Sequence, residues 1–396
     1  MTSTRRHPSS RHRRSAGSAL LAATLVLAVS CGDGSQTSGT ATTRPSQNRP
    51  DPSATTGITG GPVKVTGTVV GHFEKPIVLL PRPGHDGELW LAEQGGTVRR
   101  VTQADDGTLT GGDVLLDLTD QTQADGEQGL LGMTFARDGA ALVVTYTDLQ
   151  GTSHIEAYDV TGDSVDTGSR RELLRQDQPF RNHNGGNVVV GPDGKLWFGF
   201  GDGGAGDDPE NRAQDPTTLL GKIIRFDLDG GKPEIVISGV RNPWRFAFDT
   251  DDSLWIADVG QDHIEEVNHL RANQIDGANL GWSGYEGREP YLDGDGRRSA
   301  DAIPPVFQYT HEEGGCSITG GFAYHGPTLT GLDGAFLFAD YCAGRVRAVV
   351  LDDGATDGRG LDLGIDVEAP MSFGTDAQGE AYVLSGSGDI VKLTPA

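Results

Sequence analysis

The stretch NHNGGNVVVGPDGKLWFGFGDGG occupies residues 182–204. Val188, Val189 and Val190 form a short apolar run, and residues 196–200 form a second. Between them, Gly191-Pro192-Asp193-Gly194 supplies the turn residues that join antiparallel neighbours. A hairpin lays the start of its first strand beside the end of its second. His183 and Asp202 therefore fall at one end, where an imidazole and a carboxylate can meet. Two ordinary loop residues with local hydrogen bonds would give the same pattern.

The strand pattern of this stretch recurs. It appears as GELWLAEQGGTVRRV (87–101) and RDGAALVVTYTDLQGTSHIEAYDV (137–160). Within the opening stretch it is PDGKLWFGFGDGG, followed late by GKIIRFDLDG (221–230). DDSLWIADVGQDHIEEV (251–267), DGAFLFADYCAGRVRAV (333–349) and AQGEAYVLSGSGDIVKL (377–393) complete six copies. A period of about fifty residues, all strand and turn, predicts an all-β, six-bladed β-propeller with one four-stranded sheet per copy. The 59 glycines suit many tight turns. Helical periodicity is weak, and only residues 217–220 read as a short helical turn. Function is expected in the loops that break the repeat: 202–220, 271–320 and the run before His183.

Residues 1–31 read as an export leader. Arg5, Arg6, Arg11, Arg13 and Arg14 form a basic front, and the apolar run 19–29 is too short to span a bilayer. The Ser30-Cys31 end resembles a bacterial lipoprotein signal with Cys31 as the lipidated N-terminus, although Ala28 stands where leucine is usual. An ordinary secretory signal cut nearby is the alternative. Residues 32–61 are rich in Ser, Thr, Gly, Pro and Gln and read as a disordered linker. Residues 62–396 then form one domain. The chain is thus expected outside the cytoplasm, tied to the membrane through lipid alone.

The net charge of -24 and the lack of a basic patch argue against a nucleic-acid partner. An acidic surface suits solubility and divalent cations. Beyond Cys31 only Cys316 and Cys342 remain, which in an oxidising compartment suggests one disulfide. Neither has metal-site spacing to another Cys or His, so zinc is not expected.

Several motifs in order resemble the glucose/sorbosone dehydrogenase family, the six-bladed aldose dehydrogenases that use pyrroloquinoline quinone (PQQ). They are GEQGLLGMTFARDG (126–139), HNGGNVVVGPDGKLWFGFGDGG (183–204), LLGKIIRFDLDG (219–230) and GVRNPWRFAFD (239–249). LWIADVGQDHIEEVN (254–268), NLGWSGYEG (279–287), CSITGGFAYHG (316–326) and FADYCAGRV (338–346) follow. The resemblance implies that His183 is the general base that takes the C1 hydroxyl proton of a sugar, with Asp202 orienting it. An imidazole of near-neutral pKa with a carboxylate on its other nitrogen suits that task. It also implies that Arg241 and Asn242 stand beside the quinone, with a salt bridge under a blade as the plainer role for Arg241. Glu127 takes the place of a polar group near the cofactor, or makes an interblade hydrogen bond.

Calcium is implied as well, held by the backbone carbonyls of Gly260 and Gln261 at the quinone. A second, structural calcium would use Glu266 and the backbone of Leu280, with Asp258, Asp262 and Glu265 adding negative charge. A solvated acidic turn is the plain alternative. The chain departs from the family where PQQ, with its three carboxylates, needs cations. Cys342 stands where quinone-binding members carry lysine. EAPMSFGTD (368–376) replaces a segment with two arginines. Each missing contact is worth roughly 1.5–3 kcal/mol. This departure looks like the branch that includes the Hedgehog-interacting proteins, for which cofactor use is not implied.

Two expectations follow. One is a PQQ- and calcium-dependent oxidation of aldose sugars or related alcohols, with an unnamed electron acceptor. The other is a non-enzymatic propeller that binds a glycan or protein through its channel face. A calcium-dependent hydrolase finds no nucleophile or phosphate-cradling motif.

Overall fold

A computed structural model describes residues 64–396 apart from 295 and 353. The expected leader, Cys31 and the linker lie outside the described residues. The strands form six blades in ring order. Blade I comprises Pro76–Pro81, Glu88–Glu93, Thr97–Gln103 and Leu109–Asp117. Blade II comprises Leu130–Ala136, Ala141–Thr147, Thr152–Thr161 and Ser164–Asp177. Blade III is built from Val188–Val190, Leu196–Phe200, Lys222–Phe226 and Glu234–Ser238. Blade IV is built from Pro243–Phe248, Leu254–Asp258, Ile264–Leu270 and Phe307–Thr310. Blade V contains Ile318–Ala323, Phe336–Asp340, Arg345–Val350 and Arg359–Asp366. Blade VI contains Pro370–Thr375, Ala381–Ser385 and Asp389–Pro395, with Val65–His72 as its outer strand.

Every repeat read from the sequence is the middle hairpin of one blade. The reason is burial. A blade is covered on both faces by its neighbours, so Leu254–Asp258 and Phe336–Asp340 are buried at every position. Trp90, Phe198, Trp255, Phe338 and Tyr382 are each at most 2% exposed. Burying one such side chain contributes about 1.5–3 kcal/mol. The outer strand Val65–His72 buries only its first residue, yet it pairs antiparallel with Asp389–Pro395, Val65 opposite Pro395. That pairing closes the ring.

Four inner strands slip register at their second residue, between Pro76 and Val78, Leu130 and Gly132, Pro243 and Arg245, and Pro370 and Met371's neighbour Ser372. The bulged residues Ile77, Leu131, Trp244 and Met371 belong to one apolar cluster. Bulges re-aim side chains in this way, and here they gather four inner-strand side chains into one cluster.

The long segment after blade IV's third strand behaves as expected of an insertion. Ala278–Asn279 adds a parallel fifth strand to blade III, against Glu234–Ser238. A small hairpin, Tyr285–Glu286 with Glu289–Pro290, follows. The helical turn expected at 217–220 is a plain turn. The 3-10 turn lies upstream at Arg212–Gln214, where the Asp208 carboxylate accepts the N–H groups of Arg212 and Ala213 at 2.8 and 2.9 Å. Cys316 and Cys342 form the expected disulfide, with Cα atoms 5.6 Å apart.

Candidate functional site

Val188 faces Phe198 in the blade III hairpin. At that end His183 Nδ1 lies 2.7 Å from Asp202 Oδ1, with the two residues 4% and 0% exposed. The approach requires Gly201, because a Cβ there would stand 2.1 Å from the His183 carbonyl oxygen. His183 has a φ of 55°, sparsely populated for a histidine. Its backbone N–H donates to Glu127 Oε2 at 2.7 Å, which holds that conformation. A carboxylate on Nδ1 makes Nδ1 the protonated nitrogen and leaves Nε2 as the basic one.

Asp202 is itself fixed on every side. Oδ1 also accepts the Gly204 N–H at 2.9 Å, and Oδ2 accepts the Trp282 indole N–H at 2.8 Å. Its own N–H donates to the Arg241 carbonyl at 2.8 Å, joining blade III to the loop that enters blade IV. The N–H groups of Arg241 and Asn242 donate to the buried Asp258 carboxylate at 2.9 and 2.6 Å. The Arg241 guanidinium donates to the Val259 carbonyl at 3.0 Å and stands 5.5 Å over the Trp282 ring. Its Nε is buried with no partner among the described residues. No carboxylate salt bridge engages this guanidinium among them. Asn242 Nδ2 donates to Glu127 Oε2 at 2.9 Å, and Asn242 Oδ1 accepts the Gly185 N–H at 3.2 Å. All five residues proposed from the sequence for catalysis and cofactor contact thus form one network, and Glu127 does make the interblade bond.

This network adjoins a cavity of about 360 Å³ at the channel mouth. Glu127, Asn242, Trp244, Thr319, Tyr341 and Met371 line it. Met371 comes from the segment where arginines are missing, and Tyr341 stands beside the disulfide. Asp340 organises that edge by accepting the N–H groups of Cys316, Ser317, Cys342 and Ala343. Arg347 does not reach the cavity. It is buried, with its guanidinium 5.1 Å over Tyr309 of blade IV.

The expected calcium ligands fall in two places. Gly260 and Gln261 lie in the turn between the second and third strands of blade IV. Glu286 Oε1 accepts the N–H groups of Gln261, Asp262, His263 and Ile264 at 2.8–3.3 Å. No backbone donor occupies the carbonyls of Gly260 or Gln261 among the described residues. Glu266 stands opposite Asp258 in the register. Alternation puts both on the face of Ile256 and Leu270, whose cluster includes Leu280. Burial, then the charges of Asp258 and Glu286, holds the Glu266 carboxyl well above the usual range. Burial likewise raises Asp258. Glu266 Oε2 is buried without a hydrogen-bond partner. An orphaned carboxylate oxygen among other acids fits a hard cation such as calcium. Glu265 turns to the opposite face, where it accepts from His311 Nε2 at 2.8 Å and Ile318 N at 2.9 Å.

Sequence reasoning missed Trp282, Glu286, Thr319 and Lys75, which also lines the cavity. Trp282 sat inside a quoted motif, but nothing local says that it reaches Asp202.

A family model described as Glucose / Sorbosone dehydrogenase matches residues 73–363. The HIPL1 protein of Arabidopsis thaliana is 31% identical over 280 residues, which is 55% of this chain and 40% of that protein. Quinoprotein glucose dehydrogenase B of Acinetobacter calcoaceticus is 26% identical over 258 residues, 55% of this chain and 52% of that protein. The chain thus spans about half the length of these relatives or less. The PQQ-bound form of aldose sugar dehydrogenase from Streptomyces coelicolor superposes with a TM-score of 0.62 at 22% identity, over 85% of this chain and 99% of that one. At that identity the likeness speaks for the fold.

Proposed function

The chain belongs to the glucose/sorbosone dehydrogenase family, and from that premise we propose that it oxidises aldose sugars or related alcohols with PQQ and calcium. In this reading it works outside the cytoplasm, held by a lipid on Cys31. The observation that carries it is the buried His183–Asp202 pair, at 2.7 Å, held in one network with Glu127 and Asn242, which line a channel cavity of small-molecule size.

The residues present fit the implied groups in two respects. Arg241 Nε and Thr319 Oγ1 are buried donors without partners at the cavity and its border, and Glu266 Oε2 is a buried acceptor without one. A carboxylated quinone suits the first pair and calcium the second. Arg241, Asn242 and Glu127 would contact the quinone; Gly260, Gln261, Glu266 and Leu280 would hold calcium.

His183 Nε2 takes the hydroxyl proton of the substrate carbon. Asp202 stabilises the imidazolium that results and keeps the ring from turning. When bound, PQQ supplies the two-electron acceptor for the hydride that leaves the same carbon. Arg241 presents a fixed positive charge beside that acceptor. The test is a titration of the purified protein with PQQ in calcium, read by the quinone's absorbance and followed by dye-linked aldose oxidation. Saturable binding with turnover supports the reading; no binding overturns it.

A second reading is a non-enzymatic binder of a glycan or protein. The cysteine bridge at 342 and Met371 on the cavity wall favour it, because both stand where family members hold the cofactor's carboxylates.

A further inference from the structure

Lys75 lies in the loop that leads from the closing strand of blade VI into blade I. Its φ is 48°, in the left-handed region, and Pro76 follows. Its carbonyl accepts the Gln94 N–H at 2.9 Å. The preceding blade boundary, from blade V into blade VI, repeats this geometry. Ala369 has a φ of 43°, Pro370 follows, and the Ala369 carbonyl accepts the Gly386 N–H at 2.8 Å. The left-handed turn is therefore shared by these two boundaries. The side chain it presents is not: one copy carries a methyl group, the other an ammonium arm that lines the channel cavity. Lys75 forms no ion pair among the described residues.

One further residue faces the same cavity, and a buried cation lies behind its wall. Thr319, on the inner strand of blade V, lines it, and its Oγ1 is buried with no hydrogen-bond partner. Arg245 lies beside Trp244, the cavity's aromatic wall, with its guanidinium 5.0 Å over that ring. Arg245 donates to Ser372 Oγ, the Trp244 carbonyl and the Ile77 carbonyl at 2.9, 2.8 and 3.2 Å, all neutral acceptors. Burial pulls its pKa down to about 9. A cation without a carboxylate, in a dry site, projects a positive field that favours an anion nearby.

Resting on the reading above, we propose that Lys75 and Thr319 anchor the carboxylates of the quinone, with Arg245 behind Trp244 adding a positive field. They replace the basic residues absent at 342 and 368–376. Lys75 supplies a charge-assisted hydrogen bond from the rim, and the Thr319 hydroxyl gains the acceptor it lacks. The cation set has moved from blades V and VI to the loop that closes the ring and to the channel's interior.

The test uses the full chain in calcium, titrated with PQQ and read by quinone absorbance and tryptophan quenching. Lys75→Met should weaken binding by about ten- to a hundred-fold, the range of one charged hydrogen bond. Thr319→Val should weaken it about five- to ten-fold. It should leave the melting temperature of the cofactor-free protein unchanged or higher, since the lost hydroxyl had no partner. Lys195→Met, in the turn at the far end of the blade III hairpin, should bind like the wild type. If the wild type binds PQQ and a variant binds as tightly, that residue is no anchor, while the functional reading stands. If Lys195→Met weakens binding as much as Lys75→Met, the effect is net charge and the proposal fails. If the wild type does not bind PQQ, the functional reading and this inference fall together.

Discussion

Trp282 donates its indole N–H to Asp202 Oδ2 across 2.8 Å, although the two residues are 80 positions apart. The other oxygen of Asp202 serves His183 and the Gly204 N–H. Trp282→Phe keeps an aromatic body and removes the donor, leaving a buried carboxylate oxygen short of a partner. Stability should fall by about 1–3 kcal/mol. Turnover should fall while KM holds, because the base loses its fixed orientation. Urea unfolding and dye-linked kinetics check both; an unchanged variant would show that the contact is incidental.

His183→Ala should lower turnover by roughly 10²–10⁴, the usual worth of a general base, with a smaller effect on substrate binding. Asp202→Asn should act in the same direction but less, since the base remains and only its tautomer and charge support suffer. Aldose oxidation that survives His183→Ala would remove the base assignment and favour the binder.

The blades were legible because their middle hairpins are buried on both faces and keep an aromatic in each copy. The closing strand Val65–His72 was not, since its exposed sequence carries no pattern and its partner lies at the other end of the chain. His183 and Asp202 could be read together because one hairpin joins them. Lys75, Thr319 and Trp282 could not, because ring closure and the inserted segment bring them in from distant blades. Glu265 and Glu266 differ only in facing, which alternation cannot orient until one neighbour is known.

Calcium should stabilise the protein through Glu266. With calcium at a hundred times its Kd the gain is about 2.7 kcal/mol, and chelation should remove it. Glu266→Gln supplies a neutral amide where carboxylates crowd. Without calcium it should therefore melt at the wild-type temperature or above, and with calcium it should gain nothing. Differential scanning with and without chelator separates these cases. A wild-type curve indifferent to chelator, with no calcium in elemental analysis, would rule the site out.

The Cys316–Cys342 bridge closes a loop of 26 residues. Opening it should cost about 3 kcal/mol, from the entropy returned to the unfolded chain. Cys342→Ser should show the same loss, and reduction should then add nothing further. Non-reduced peptide mapping provides the direct check, and free thiols at both positions would exclude the bridge.

Lys222 makes stability depend on pH. Its ammonium is buried 1% exposed in blade III and donates to the carbonyls of Arg212 and Leu220 at 2.7 and 2.9 Å. Burial pulls its pKa down to about 8 from 10.5, only partly opposed by Asp208 and Asp215. The folded state thus releases this proton at lower pH than the unfolded chain does. Between about pH 8 and 10.5 the unfolded state binds more protons, so this group adds stability as pH rises through that window. By pH 10 the gain relative to pH 7 should be about 2 kcal/mol. Lys222→Met has no proton to lose and should lack the slope. The comparison is the difference in unfolding free energy between wild type and variant at pH 7, 8.5 and 10, which cancels the titration of other groups. A difference that stays flat, or that moves against the wild type as pH rises, would show that the ammonium is not held in the buried setting described.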